Sequence, residues 1–594
     1  MMKLAVALLL ATAFAAGGLA DAQPAPSPPA SRFGAYDAPA AYPERVTTSL
    51  YLPMRDGVRL AVSVTLPAKD GKPAPGRFPV IWQHTLGIAG AGAEGGPLAG
   101  ASARTRGYGA MSGLANDGYA VVQVARRGNG PSFGRRRGYN DRTEAYDAYE
   151  VIDWLAAQPW STGAVGVYGC SNTGDAAMHA VTAGNPHLKA AWAGCFSWEK
   201  YDGFLRGGIL ANWGTGPERT VAQDMDNTPV QGDEGKTLLR QAAEQHLGAT
   251  PLLDMWRGMP FRDSDSPLVQ SRFWIEGSAG RYKNQINRSG VALYVQGGWY
   301  DDFRQQGLIT YANVTGERHI VIGPWMHCAN DDFDLIGEVR RFFDYHLKGI
   351  DTGIAADDPI HYFTVNAPAG QEWRSARQWP LPATRDTALF LDAGALTATA
   401  PRKPSPTAFT VRYDVDCPPG QARPPLNALL TGAQLCFPES AGPHFVGPVL
   451  KTDTEVTGNP VADLWIAASA ADQNLFVYLE DIAADGKITK VTEGRLKASL
   501  RKLAPAPFAN FGLPWHRSFK EDAEPLTPGQ PARLTFDLLP ASYIFKAGHR
   551  IRVTVAGADY REKDRTPAAP APTLSILSDP DHASRVRLPV IPTG

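Results

Sequence analysis

The sequence predicts an α/β protein, a mainly parallel sheet covered by helices on both faces, with a helical insertion and a separate all-β unit behind it. Three observations carry this. Short apolar strands alternate with segments of helical periodicity between residues 42 and 377. The stretch AVGVYGCSNTGDAA (164–177) reads as a strand, a tight turn and a helix, with Ser171 at the turn between Gly169 and Gly174. From about Gln378 the composition changes to short alternating strands among Pro, Gly and Asp clusters.

The chain has 594 residues, 44% hydrophobic and 20% charged, with a formal net charge of -1. That balance describes a soluble globular protein and excludes nucleic acid as the expected partner. The length allows two to four domains at roughly 100 to 200 residues each. Residues 1–22 have one Lys, an apolar run from Leu4 to Ala16 and Ala20-Asp21-Ala22 as a small-x-small site, which predicts a secretory signal peptide cleaved after Ala22. The run is shorter than the roughly 20 residues of a membrane span, so a secreted or periplasmic protein without a membrane anchor is expected. Residues 23–41, rich in Pro and Ser, are expected to form a flexible leader.

In order, two alternating runs around Arg55-Asp56-Gly57 predict a hairpin. FPVIWQHTL and YAVVQVARRGNG predict two strands, and TEAYDAYEVIDWLAAQ a helix that stops before Pro159. LKAAWAGCFS, VALYVQGGWYDDF and HIVIGPWMHCAN supply later strands, with helices such as RQQGLITYANV between them. The alternation stops between Ser197 and Asn287, so 197–287 reads as a helical cap over the strand ends, where open α/β sheets bind ligands. The core therefore falls in two parts, 42–196 and 288–377, followed by a β-sandwich of the jelly-roll kind over 378–594.

Of the five cysteines, Cys170 and Cys328 stand beside candidate catalytic residues, where a disulfide is expected to distort the site, whereas Cys417 and Cys436 flank a Pro/Gly-rich loop and are expected to pair. Closing a loop of about 20 residues contributes about 3 kcal/mol. No CxxC pair or HExxH helix argues for zinc, and no cofactor is expected.

A serine hydroxyl becomes a nucleophile when an imidazole takes its proton and an acid orients that imidazole. Asp301 and Asp302 follow one predicted strand and His327 the next, so with Ser171 they fall at one edge of the sheet in the order Ser, Asp, His, the order of α/β-hydrolases. Either Asp301 or Asp302 is placed to serve. Asp331 and Asp332, close to His327 in sequence, are expected instead to cap the next helix.

On the motifs RDGVRLAVSVTLP, ARRGNGPSFG, EAYDAYEVIDWLAAQPWSTGAVGVYGCSNTG, GGWYDDF, GPWMH, RRFFDYHLKGID, WRSARQWP and GHRIRV, nearly the whole mature chain resembles the cocaine esterase and X-Pro dipeptidyl-peptidase family of serine hydrolases, relatives of which include α-amino acid ester hydrolases and glutaryl acylases. The resemblance implies Ser171 as nucleophile, His327 as base, Asp301 as orienting acid and the backbone N-H of Asn172 as one oxyanion donor. Family members carry a tyrosine after the early strand as second donor; this chain reads WQHTLG there, so either His84 or Thr85 substitutes or the second donor is missing. One such donor is worth about a hundredfold in rate.

The expected reaction is hydrolysis of a small ester or amide through an acyl-serine. Asp175, or Asp224 and Asp226 in the cap, are candidates to bind a substrate α-amino group, although Asp175 equally suits the helix N-terminus. Trp198, Tyr201 and Trp213, with Trp299 beside the acid, are candidates to line an acyl pocket or to be core. The alternatives are an X-Pro dipeptidyl-peptidase and a binding protein of the same fold with weakened chemistry. A homo-oligomer is left open.

Overall fold

A computed structural model describes residues 31–95, 107–138, 140–211, 219–266, 268–415, 441–560, 562 and 567–592. The expected signal peptide (residues 1–22), Trp213 and the expected Cys417–Cys436 pair lie outside the described residues.

The chain opens its main sheet with an antiparallel hairpin, β1 (Glu44–Pro53) and β2 (Arg59–Lys69), paired from Pro53 opposite Arg59 to Glu44 opposite Ala68. Gly57 closes the turn at a φ of +80°, a conformation that suits glycine, and donates to Met54 O at 2.8 Å. The parallel strands follow: β3 (Phe78–Thr85), β4 (Ala120–Ala125), β5 (Ser161–Cys170), β6 (Leu188–Gly194), β7 (Ala292–Gly298), β8 (Arg318–Gly323) and β9 (Ile360–Phe363). An antiparallel β10 (Trp373–Ala376) ends the series. Across the sheet the order is β10-β9-β8-β7-β6-β5-β3-β4-β2-β1. Strands β5 to β8 are adjacent and parallel, so their C-terminal ends share one edge.

Both faces are covered, which is why these strands are apolar throughout instead of alternating; every residue of β7 is buried. Val165 and Val167 face a cluster with helices α1 (Arg142–Ala156) and α2 (Asn172–Ala183). Tyr168 and Trp192 face the other side. Asp141 caps α1 by accepting from Thr143 N and Glu144 N.

Between β6 and β7 lies the cap, built of short helices and the longer α3 (Thr237–His246), around a cluster of Tyr201, Met255, Trp256, Phe273 and Trp274. His246 fastens α3 to the core, its Nδ1 2.7 Å from Asp224 and its Nε2 2.7 Å from Ser132 O. After β7 comes α4 (Arg304–Asn313), and after β8 α5 (Leu335–Lys348). The cap of α5 is Asp334, which accepts from Gly337 N at 3.0 Å, instead of the expected Asp331 or Asp332, because a cap must directly precede the first helical turn.

The leader is not loose over its described part. Phe33 stacks on His361 at 3.7 Å, Tyr36 donates to Asp344 Oδ2 at 2.8 Å and Arg340 donates to Ala38 O at 2.6 Å. Two aromatics suffice to dock a segment that is otherwise poor in apolar residues.

The C-terminal all-β domain runs from the strand Arg385–Asp392 to the strand Arg585–Ile591 around a core that includes Leu464, Phe476, Val477, Phe536 and Val553. It joins the α/β core through Val365, whose N-H donates to Ser542 O and whose carbonyl accepts from Ile544 N. Buried Arg304, at the start of α4, donates to Asp301 O at 3.0 Å, Pro540 O at 2.8 Å and Thr492 Oγ1 at 3.0 Å, so one guanidinium bonds both domains. Burial lowers it to about 10.

Candidate active site

Ser171 sits between β5 and α2 at φ 60°, ψ -129°, a conformation rare for a residue with a side chain. Its N-H donates to Gly194 O at 3.0 Å, and its carbonyl accepts from Asp175 N at 2.8 Å. Thr173 braces the turn from within, its hydroxyl donating to Cys170 O and accepting from Cys170 N, and Gln83 Nε2 of β3 reaches the same hydroxyl at 3.3 Å. A Cβ on Gly169 would stand 2.1 Å from Thr173 O, and one on Gly174 2.3 Å from Gly194 O. The glycines flanking the serine are thus places where backbone meets backbone.

Asp301 follows β7 in a turn closed by Asp301 N to Gly298 O at 3.0 Å. His327 follows β8, and its Nδ1 lies 3.0 Å from Asp301 Oδ1. The same oxygen accepts from Phe303 N at 3.1 Å. Of the two adjacent acids, Asp301 therefore meets the imidazole, while Asp302 turns toward Arg495 at 3.9 Å. Burial works against the charge of Asp301, but His327 and the hydrogen bonds it accepts hold its carboxyl below the usual carboxylate range. Burial also disfavours the imidazolium, yet Asp301, with Asp302 and Asp175, holds His327 above its ordinary value. His327 Nε2 is buried without a hydrogen-bond partner among the described residues.

Cys170 and Cys328 form a disulfide with Cα atoms 5.9 Å apart. This corrects the expectation that such a bond would distort the site. Cys170 precedes the serine and Cys328 follows the histidine, so the bridge passes beside the two side chains and ties their loops together across 158 residues of sequence. Cys195, directly after β6, is a free, buried thiol whose sulfur lies within 4.8 Å of both bridged sulfurs. Its sulfur, Asp301 and His327 also offer ligand atoms within 4.8 Å of one another, but the acid and the histidine are already bonded to each other.

Asn172 opens α2, so its N-H belongs to the first turn, where the helix itself supplies no acceptor. Its side chain accepts from Arg126 at 3.1 Å, and Arg126, fully buried, is held by Asn140 at 2.8 Å and Glu144 at 3.2 Å. Of the two side chains expected as second oxyanion donor, Thr85 donates its hydroxyl to Gly87 O, and His84 is buried with Nε2 unpartnered among the described residues. Burial, with Arg126 and Arg127, keeps His84 neutral by holding it well below the ordinary imidazole value.

Two of the three expected amine-binding acids, Asp175 and Asp224, are paired within the protein. Asp175 is buried, accepting from Ser197 N at 2.7 Å and Asn140 at 3.4 Å, and Asp224 is buried against His246 and Arg219. Asp226 is exposed. Trp198, Tyr201 and Trp299 are core side chains: the first two are fully buried, and Trp299 donates to Phe363 O at 2.6 Å. Sequence reasoning missed roles for Arg126, Gln83 and Cys195. Arg126 stands in the ARRGNG motif, a signal that a buried charge would be needed there.

Compared with known proteins, residues 56–329 match the model of the X-Pro dipeptidyl-peptidase (S15 family), and residues 353–586 that of the X-Pro dipeptidyl-peptidase C-terminal non-catalytic domain. A Mycobacterium tuberculosis protein named as a serine esterase is 32% identical, over 95% of this chain and 98% of its own length. Cocaine esterase of Rhodococcus sp. is 24% identical over 92% of this chain and 98% of its own. The crystal structure of a CocE/NonD family hydrolase from Staphylococcus aureus superposes with a TM-score of 0.70 at 19% identity, covering 92% of this chain and 94% of that one.

Peptide mapping without reductant is expected to recover Cys170 linked to Cys328. The Cys170→Ser/Cys328→Ser variant should lose about 2 to 5 kcal/mol in denaturant unfolding, since a long loop is released in the unfolded chain. Separate, unlinked peptides would contradict this arrangement.

Proposed function

This chain belongs to the X-Pro dipeptidyl-peptidase (S15) family of serine hydrolases, and from that premise we propose that it hydrolyses a small carboxylic ester or amide through an acyl-serine on Ser171. The observation that carries the reading is the 3.0 Å hydrogen bond from His327 Nδ1 to Asp301, on the strand edge that also bears Ser171. With Nδ1 engaged, Nε2 is the ring nitrogen that takes the serine proton. Oγ then attacks the acyl carbon, and the oxyanion meets the N-H of Asn172. His327 returns the proton to the leaving alcohol or amine, and water repeats the sequence to free the acid. The second oxyanion donor is drawn from the end of β3, where the Thr85 hydroxyl is already committed and His84 is not. Export is supported by the signal-peptide pattern of residues 1–22 and by a disulfide in the site, which an oxidising compartment preserves.

The base must be neutral to act. Because His327 is held above 6.5, the rate falls as pH drops through that raised value, and the acid limb of kcat/KM should have its midpoint above 6.5. Asp301→Asn removes the raising charge, moves the limb down and lowers kcat by about 10³ to 10⁴-fold. A wild-type midpoint at or below 6.5 would count against the assignment.

Cleavage after an X-Pro pair calls for an anion at the substrate amino group; Asp175 and Asp224 are both paired internally, which leaves exposed Asp226 as the one of the three expected acids open to an amine and favours acyl groups without one. Aminoacyl esters and their N-acetylated forms should therefore react within about threefold of one another, and X-Pro anilides should be poor substrates. A strong preference for the free amine, or for X-Pro, would restore the peptidase reading.

A further inference from the structure

Three adjacent parallel strands, β6, β7 and β8, are followed by Cys195, Asp301 and His327, whose ligand atoms lie within 4.8 Å of one another, next to β5, which leads into Ser171. Asp301 and His327 are accounted for by the triad; Cys195 is not. It is fully enclosed, and its backbone is held at φ +46° by donation of its N-H to Gln296 O at 3.0 Å. Ser171 at +60° and Cys328, the residue after His327, at +59° also have positive φ.

Asp301 leaves one need unmet. Its Oδ1 serves both His327 and Phe303 N, while Oδ2 is buried without a hydrogen-bond partner among the described residues. A buried carboxylate oxygen left without a donor costs about 1 to 3 kcal/mol, and the Cys195 sulfur, within 4.8 Å of an Asp301 carboxylate oxygen, is the nearby group able to donate to it after a small rotation. The sulfur of Cys195 also accepts the N-H of Cys328, the residue after the histidine, at 3.4 Å.

We propose that Cys195 is a positioning residue of this centre: its S-H donates to Asp301 Oδ2 while its sulfur accepts Cys328 N-H, so that one thiol holds the carboxylate plane and the histidine loop in mutual register. The inference rests on Asp301 and His327 acting as proposed above. A thiol suits the place because burial and the neighbouring carboxylate keep it protonated, far above its ordinary value, so it never brings a second negative charge. The other charges facing His327, Asp302 and Asp175, are untouched by substitution here.

The test compares Cys195→Ser, which keeps a donor, with Cys195→Val, which keeps bulk without one, in the full oxidised chain with p-nitrophenyl esters. Cys195→Val should lower kcat by about tenfold with KM changed by less than about twofold, the pattern of a lost transition-state alignment. Its acid limb should rise by about half a unit, as Oδ2 no longer shares its charge with a donor. Cys195→Ser should restore kcat to within about threefold of wild type and return the limb. Wild-type kcat and limb in Cys195→Val, or equal impairment of both variants with the limb unmoved, would overturn the proposal, the latter marking Cys195 as packing alone. Should the valine variant not fold, the serine variant decides alone: a tenfold loss with an unmoved limb rejects the role. Ser171→Ala, run in parallel, separates the two levels, since activity surviving there would reject the catalytic reading itself.

Discussion

The contact on which the site depends is the approach of the turn after β5 to the end of β6. One carbonyl, Gly194 O, receives the Ser171 N-H at 3.0 Å, and Gly174 passes so close to it that a Cβ would stand 2.3 Å away. Backbone packed on backbone leaves no side chain to yield, so the serine is aimed by the sheet itself. The bridge from Cys170 to Cys328 extends that fixation to the histidine loop, and Arg304 extends it from the loop after β7 to the C-terminal domain.

Around this edge the protein buries an unusual amount of charge and satisfies most of it by design of the neighbours. Arg126 holds Asn172 through a network with Asn140 and Glu144; Asp175 ties α2 to the first residues of the cap; Asp147 receives Arg127 and Arg55. Removing one member of such a set would strand another, which makes the networks rigid whatever their net contribution to stability. Among the buried polar atoms that have no partner among the described residues, His327 Nε2 and Asp301 Oδ2 lie in the catalytic centre.

Much of this is legible in the sequence because its signals are local. Apolar strands, paired glycines and the chain order of Ser171, Asp301 and His327 need only short windows to read. Choosing Asp301 over Asp302 needs the turn closed on Gly298, which no window displays. The cysteines mislead for a related reason: proximity to catalytic residues suggests interference, whereas the direction of the side chains decides, and Cys170 and Cys328 point along the sheet edge to each other. Asp175 and the aromatic residues Trp198, Tyr201 and Trp299 look like pocket residues by type, yet a mean hydropathy profile cannot tell a buried tryptophan of the core from one lining a cleft. Phe33 and Tyr36 show the converse, two rings docking a stretch that composition alone describes as loose.

The central claim, that Ser171 is acylated during turnover, is tested most directly by stopping the reaction with acid within the first turnovers of a p-nitrophenyl ester and locating the added mass by peptide sequencing. The account predicts a stoichiometric burst with the acyl group on the peptide bearing Ser171, and no burst from Ser171→Ala. Hydrolysis by the wild type with no covalent adduct, or with the adduct on another residue, would contradict it.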